Sequence, residues 1–194
     1  MKKLHVAIVL LLLIAAFAAT DFAVNVKRTR LQGVPPPSAD PYPNFVQSIV
    51  GKNPDIGYVF LKRNRTKQLF EKFDLSSLEN IRIYRSILEQ AVQPTAPEEK
   101  VKKQMVIYEV QGPDNQGGLT YLNIKLKLID QLDATGNINE AGSFGYNSFF
   151  YNDMNYPDTA FLLVQIKDNL FGFQYEKTDE ETFKTVKAII ASLM

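Results

Sequence analysis

Two hydrophobic periods follow one another near the C-terminal end of this 194-residue chain, and they constrain its fold more than any other stretch. Ala160 to Ile166 and Leu170 to Glu176 are short runs rich in Phe, Leu, Val and Tyr. Asp168-Asn169 lies between them and supplies side chains that tolerate the left-handed conformations of a tight hairpin turn. Next comes Thr178-Asp179-Glu180-Glu181, a capping-box pattern with acidic groups at the positive end of a helix. Phe183, Val186, Ile189, Ile190 and Leu193 then recur at helical steps. A helix with that stripe must bury it, so the spacing predicts an antiparallel strand pair backed by a C-terminal helix.

Upstream, the same reasoning assigns further elements. Between Asp74 and Gln93 the apolar residues Leu78, Ile81, Tyr84, Leu88 and Ala91 recur at three- and four-residue steps, which predicts a helix capped at Asp74 or Ser76 and stopped before Pro94. From Tyr121 to Leu128 the period falls to two: Leu122, Ile124, Leu126 and Leu128 alternate with Tyr121, Asn123, Lys125 and Lys127. That alternation predicts a strand buried on one face, paired with Gln104 to Val110 through the Gly112 to Gly118 loop. Asn44 to Val50 reads as a short helix, Asn53-Pro54-Asp55 as a turn and Gly57 to Leu61 as a first strand. One-sided strands belong to antiparallel sheets, so the expected class is α+β, with about five to six strands packed by amphipathic helices.

The run Ala160-Phe161-Leu162-Leu163-Val164-Gln165-Ile166, a short turn, Phe171-Gly172-Phe173-Gln174-Tyr175, Asp179-Glu180-Glu181-Thr182-Phe183 and a closing Ile189-Ile190-Ala191-Ser192-Leu193 resembles the C-terminal end of the PsbP, Mog1 and DcrB-like group. The chain departs from that group in having no tryptophan and no early strand pair ending in a Pro-x-x-Trp-like turn. The resemblance implies an α/β/α sandwich around an antiparallel sheet and a non-catalytic accessory role beside a larger complex. It carries over no site residue.

The other end of the chain speaks to location. Lys2 and Lys3 precede an apolar run from Val6 to Ala19 that ends at Thr20 and Asp21, the pattern of an export signal or of a short membrane anchor. Residues 1–26 are therefore expected to be a signal peptide or anchor, and 27–43 a basic, Pro-rich linker holding five of the ten prolines. Residues 44–194 are then a single α+β domain. The extended tether favours the anchored form, and the export-like start places the domain outside the cytoplasm in the cell envelope, against the weak opposite pull that Lys27, Arg28 and Arg30 would exert on a permanent helix.

Composition removes much chemistry from that domain. The one histidine, His5, lies in the apolar N-terminal segment and there is no cysteine, so no Ser-His-Asp triad, Cys-His pair or His/Cys-ligated zinc site can form. No catalytic residue, metal or cofactor is expected. With 22 basic against 21 acidic residues, no nucleic-acid partner is expected either, and Lys62 to Lys67 reads as a solvated loop or helix start. Gly112, Gly117 and Gly118 lack a following Lys-Ser/Thr and are read as leading into a strand, which argues against a phosphate loop. Asp133 to Glu140 fails as a calcium loop, because its sixth position is Ile138 and its twelfth Phe144.

One segment carries a recognition-like composition. Phe144 to Pro157 mixes aromatics with Asn and Asp, and Tyr146, Phe149, Tyr151 and Tyr156 are its candidate binding residues; the rival reading puts Phe144, Phe149 and Tyr151 in the core. The first functional expectation is an accessory module that docks to a protein partner in a membrane-associated complex. A glycan or small-ligand binder using the aromatic segment is the alternative. A carboxylate-based hydrolase stands third.

Overall fold

A computed structural model describes residues 42–91, 103–140, 142–177 and 179–194. The expectations placed on residues 1–41, the apolar segment and most of the Pro-rich linker, lie outside the described residues. Among the described residues, no helix is long and apolar enough to cross a membrane.

Helix α1 spans Phe45–Lys52, and Asn44 caps it by accepting a hydrogen bond from the Gln47 backbone N–H at 2.9 Å. A single 3₁₀ turn, Pro54–Ile56, ends at Gly57 in the left-handed region and turns the chain into β1 (Tyr58–Thr66). There follow β2 (Gln68–Leu69), β3 (Phe73–Asp74), β4 (Arg82–Gln90), β5 (Gln104–Gln111), helix α2 (Gly117–Gln131), β6 (Gly136–Glu140), β7 (Asn147–Asp153), β8 (Thr159–Ile166), β9 (Asn169–Glu176) and helix α3 (Glu180–Leu193). Seven strands form one open antiparallel sheet in the order β1-β4-β5-β9-β8-β7-β6, and β2 pairs with β3 in a separate small hairpin. The class is α+β, with one strand more in the main sheet than the upper expectation.

The sheet is covered on both faces, and residue parity along its strands decides which side chain goes where. From β8, Ala160, Leu162, Val164 and Ile166 join Val46, Ile49 and Val50 of α1 and Val186, Ile189 and Ile190 of α3. The intervening Phe161 and Leu163 join Tyr121, Ile124 and Leu128 of α2 with Leu69, Phe70 and Phe73 of the small hairpin. An expectation of one-sided burial is thereby corrected.

The C-terminal reading holds. Ile166 and Asn169 are directly paired, so the hairpin turn is Lys167-Asp168, one residue earlier than expected, with Lys167 at φ 55°. The N-cap of α3 is Asp179, one residue after the Thr178 that opens the expected capping box; it accepts from the Glu181 N–H at 3.1 Å, and its other oxygen meets Lys103 Nζ at 2.8 Å.

Two upstream assignments are reversed. The expected helix over Asp74 to Gln93 is largely strand β4, whose residues split between the two faces: Ile83 enters the α2-side core and Leu88 the opposite one. A strand buried on both sides shows no clean alternation, so its spacing imitates a helix. The expected strand over Tyr121 to Leu128 is helix α2, and β5 pairs with β4 and β9 instead. The Gly112 to Gly118 loop thus leads into a helix. Of Lys62 to Lys67, expected to be a solvated loop or helix start, all but Lys67 belong to β1.

Candidate functional site

Helix α2 explains why its sequence imitates a strand. At about 100° per residue, positions two apart lie on nearly opposite sides of a helix. Ile124 and Leu128, with Thr120 and Tyr121, are buried against the sheet. Leu122, Leu126 and Ile129 point the other way and remain 48%, 51% and 45% exposed. Half-buried Leu119 extends them to a 3-4-3 spacing, 119, 122, 126, 129, the step of a helix that pairs with another helix. A surface helix needs one apolar stripe to dock on its own domain; α2 has a second, directed at solvent. Lys125 lies on one flank of this outer stripe and is ion-paired with Glu140 at the edge strand β6. Exposed Asn123 and Asp130 lie on the other flank.

The position of α2 is fixed at its two ends. Gly117 rests on the β8–β9 turn, where any Cβ would lie 2.4 Å from the carbonyl oxygen of Lys167. At the far end the Gln131 side chain makes two hydrogen bonds to the backbone of Asp74, accepting at 2.9 Å and donating at 2.8 Å. The outer stripe is therefore presented on a rigid support.

Two polar constellations were not anticipated from the sequence. Asp153, at the end of β7, is buried and accepts from Lys72 Nζ, from Tyr151 OH at 2.6 Å, from Thr135 Oγ1 at 3.1 Å and from the Asn155 N–H at 2.9 Å. Burial alone would raise its pKa, but these donors outweigh burial and hold the carboxylate below its ordinary range. Burial likewise works to lower the Lys72 ammonium, and its bonds to Asp153 and Tyr151 prevail and raise it. Tyr151 is pushed up to about 12, by burial first and then by its bond to Asp153. A general base works best with a pKa near the operating pH; here Lys72 is held as the ammonium and Asp153 as the carboxylate. The cluster ties the small hairpin to the ends of β6 and β7.

The second constellation lies on the other face of the sheet. Glu109, from the middle of β5, has a fully buried side chain; it meets Arg63 Nε at 3.3 Å and accepts from the Phe45 N–H at 3.2 Å and Ser86 Oγ at 3.3 Å. The Arg63 guanidinium lies 4.0 Å from the Tyr84 ring centroid and donates to the Tyr42 carbonyl at 2.8 Å. Burial pushes Glu109 up to about 7, against the lowering influence of Arg63, the Phe45 N–H and Ser86. A lone carboxylate within the apolar strand Met105 to Val110 was the sequence signal for this cluster. Arg63 gave none, because it sits in a basic run read as solvated.

The four aromatic candidates do not share a surface. Phe149 and Tyr151 are buried in the α2-side core, as the rival reading of that segment had it. Tyr146 and Tyr156 are 70% and 52% exposed, at opposite ends of β7, a strand about 20 Å long. An open groove of about 600 Å³ between β1, β4 and the loop joining the small hairpin to β4 has Arg65 and Lys67 on its rim; its floor residues Leu75 and Ile83 are already buried. Among the described residues no group of three or more His, Cys, Asp or Glu side chains is placed to hold a metal. Comparison with protein-family models, with curated proteins and with solved structures finds no match to this chain.

Proposed function

We propose that this chain is a non-catalytic interaction module, held in the cell envelope by its N-terminal segment, whose folded domain docks to a protein partner through the outer face of α2. The observation that carries this reading is the second apolar stripe of α2, Leu122, Leu126 and Ile129, opposite the stripe already used by its own core. Exposed aliphatic side chains ranked along a rigid helix are an interaction surface in wait of a partner. The locked charges of Lys72 and Asp153 add support, since the best-formed polar cluster holds the fold together instead of facing a substrate. Helices against both faces of the sheet are also in keeping with the α/β/α sandwich that the resemblance to the PsbP, Mog1 and DcrB-like group implies.

The test is a photo-crosslinking amino acid introduced at Leu126 of the full chain in its native membranes, with Lys184 on α3 as the control position. The expected result is a protein adduct of defined mass from position 126 and none from 184. No protein adduct at 126, or equal labelling at both positions, would overturn the reading.

A further inference from the structure

The outer stripe of α2 is self-complementary. We infer that its partner is a second copy of this chain, paired through α2 in parallel about a two-fold axis, an inference that rests on the reading of α2 as a docking face. Leu119, Leu122, Leu126 and Ile129 occupy alternating a and d positions of a heptad, so each can pack against its own equivalent across a two-fold axis. In this register Lys125 is a g position and Asp130 the following e position. A parallel pair brings Lys125 beside Asp130 of the partner subunit, and the symmetry repeats the contact at the other edge.

An antiparallel pair centred on the seam would instead set Lys125 against its own equivalent, a repulsive contact, and leave Asp130 with no cation opposite it. Asp130 is exposed and takes no partner among the described residues, so its carboxylate is open to that contact. Lys125 reaches it while remaining next to Glu140, whose side chain is itself largely exposed. Other surfaces fit a second copy less well. The edge strand β1 carries Lys62, Arg63 and Arg65, so pairing two such edges would oppose like charges. A negatively charged lipid surface finds no excess of cations around the stripe, because Lys125 is balanced by Glu140 and Asp130 is acidic.

Size sets the strength. The seam from Leu119 to Ile129 is about 15 Å long, and four aliphatic residues a side cover well under the roughly 1,200 Å² of a standard interface. The dimer is thus expected to be concentration-dependent, in the micromolar range.

The chain has no cysteine, so a single introduced thiol reports on itself alone. Leu122→Cys, Leu126→Cys and Ile129→Cys are made one at a time in the full chain, in membranes, and oxidised; Lys184→Cys is the control. Same-residue disulfide dimers at all three α2 positions and none at 184 are the expected result. In the Leu126→Cys background, Lys125→Glu and Asp130→Lys each reduce the dimer yield several-fold, and the two together restore it. Thermal unfolding of each variant at wild-type temperature shows that the fold is kept. No disulfide at any of the three positions, with a photo-adduct at 126 to a different protein, overturns the second copy and leaves the docking face standing. Labelling of lipid alone, or no adduct of any kind, overturns both. Preferential coupling of Leu122→Cys with Ile129→Cys in a mixed sample overturns the parallel arrangement.

Discussion

Gly117 sits directly on the carbonyl of Lys167, with no room for a Cβ between them: the added atom would come within 2.4 Å of the oxygen and 2.7 Å of the Asp168 Cα. The atoms it would meet are backbone, which cannot rotate aside. Gly117→Ala is therefore expected to lift the first turn of α2 off the β8–β9 hairpin at a cost of about 1–3 kcal/mol. In a domain of this size that lowers the thermal midpoint by roughly 2–4 °C for each kcal/mol, measurable by calorimetry.

The two stripes of α2 respond differently to truncation. Ile124→Ala empties a fully buried position and is expected to cost about 2–5 kcal/mol in a urea titration. Leu126→Ala changes a half-exposed side chain on the opposite side and is expected to fall within about 0.5 kcal/mol of wild type at dilutions where the chain is monomeric. Equal losses at the two positions would contradict the helical placement.

Glu109 makes stability depend on pH near neutrality. Its folded pKa, about 7, lies above the ordinary 4.5, so folding favours the protonated form. That contribution is complete below about pH 4.5 and is lost as pH rises through about 7. Stability is expected to decline between pH 5 and pH 8 by an amount on the order of 2–3 kcal/mol. Glu109→Gln should flatten this dependence while preserving the fold, read as urea midpoints across the pH series.

Asp153 acts with the opposite sign. Its folded pKa is depressed, so its contribution is present above the ordinary carboxylate pKa and lost as pH falls through the folded value. Acid unfolding of the wild type should consequently steepen below about pH 4, and Asp153→Asn should reduce that steepening. Lys72→Met leaves the buried carboxylate with Tyr151, Thr135 and the Asn155 N–H as donors. Because Lys72 is partly exposed, the loss at pH 7 is expected to be about 2 kcal/mol, below the figure for a fully buried pair.

What was legible in the sequence depended on how many sides of an element are buried. Helix α3 buries one stripe and strands β8 and β9 meet across a two-residue turn, so their periods were plain. Strand β4 is covered on both sides, and its Ile83, Ser86, Ile87 and Leu88 follow no simple alternation. Helix α2 is apolar toward the core and toward solvent, which superposes two helical stripes into an apparent period of two. The aromatic segment was ambiguous because composition cannot separate residues packed under α2, Phe149 and Tyr151, from Tyr146 and Tyr156 at the strand ends. The clusters around Glu109 and Asp153 join residues far apart in sequence, 46 positions for Arg63 to Glu109 and 81 for Lys72 to Asp153. No local pattern records such distances.

The grip of Arg63 on the carbonyls of Tyr42 and Pro43, and of Glu109 on the Phe45 N–H, has a mechanical consequence. A pull applied to the chain at Tyr42 is delivered into β1 and into β5, two strands in from the edge, before it passes the first residue of α1. Load is thereby shared between two strands of the sheet and is not borne by the short helix alone.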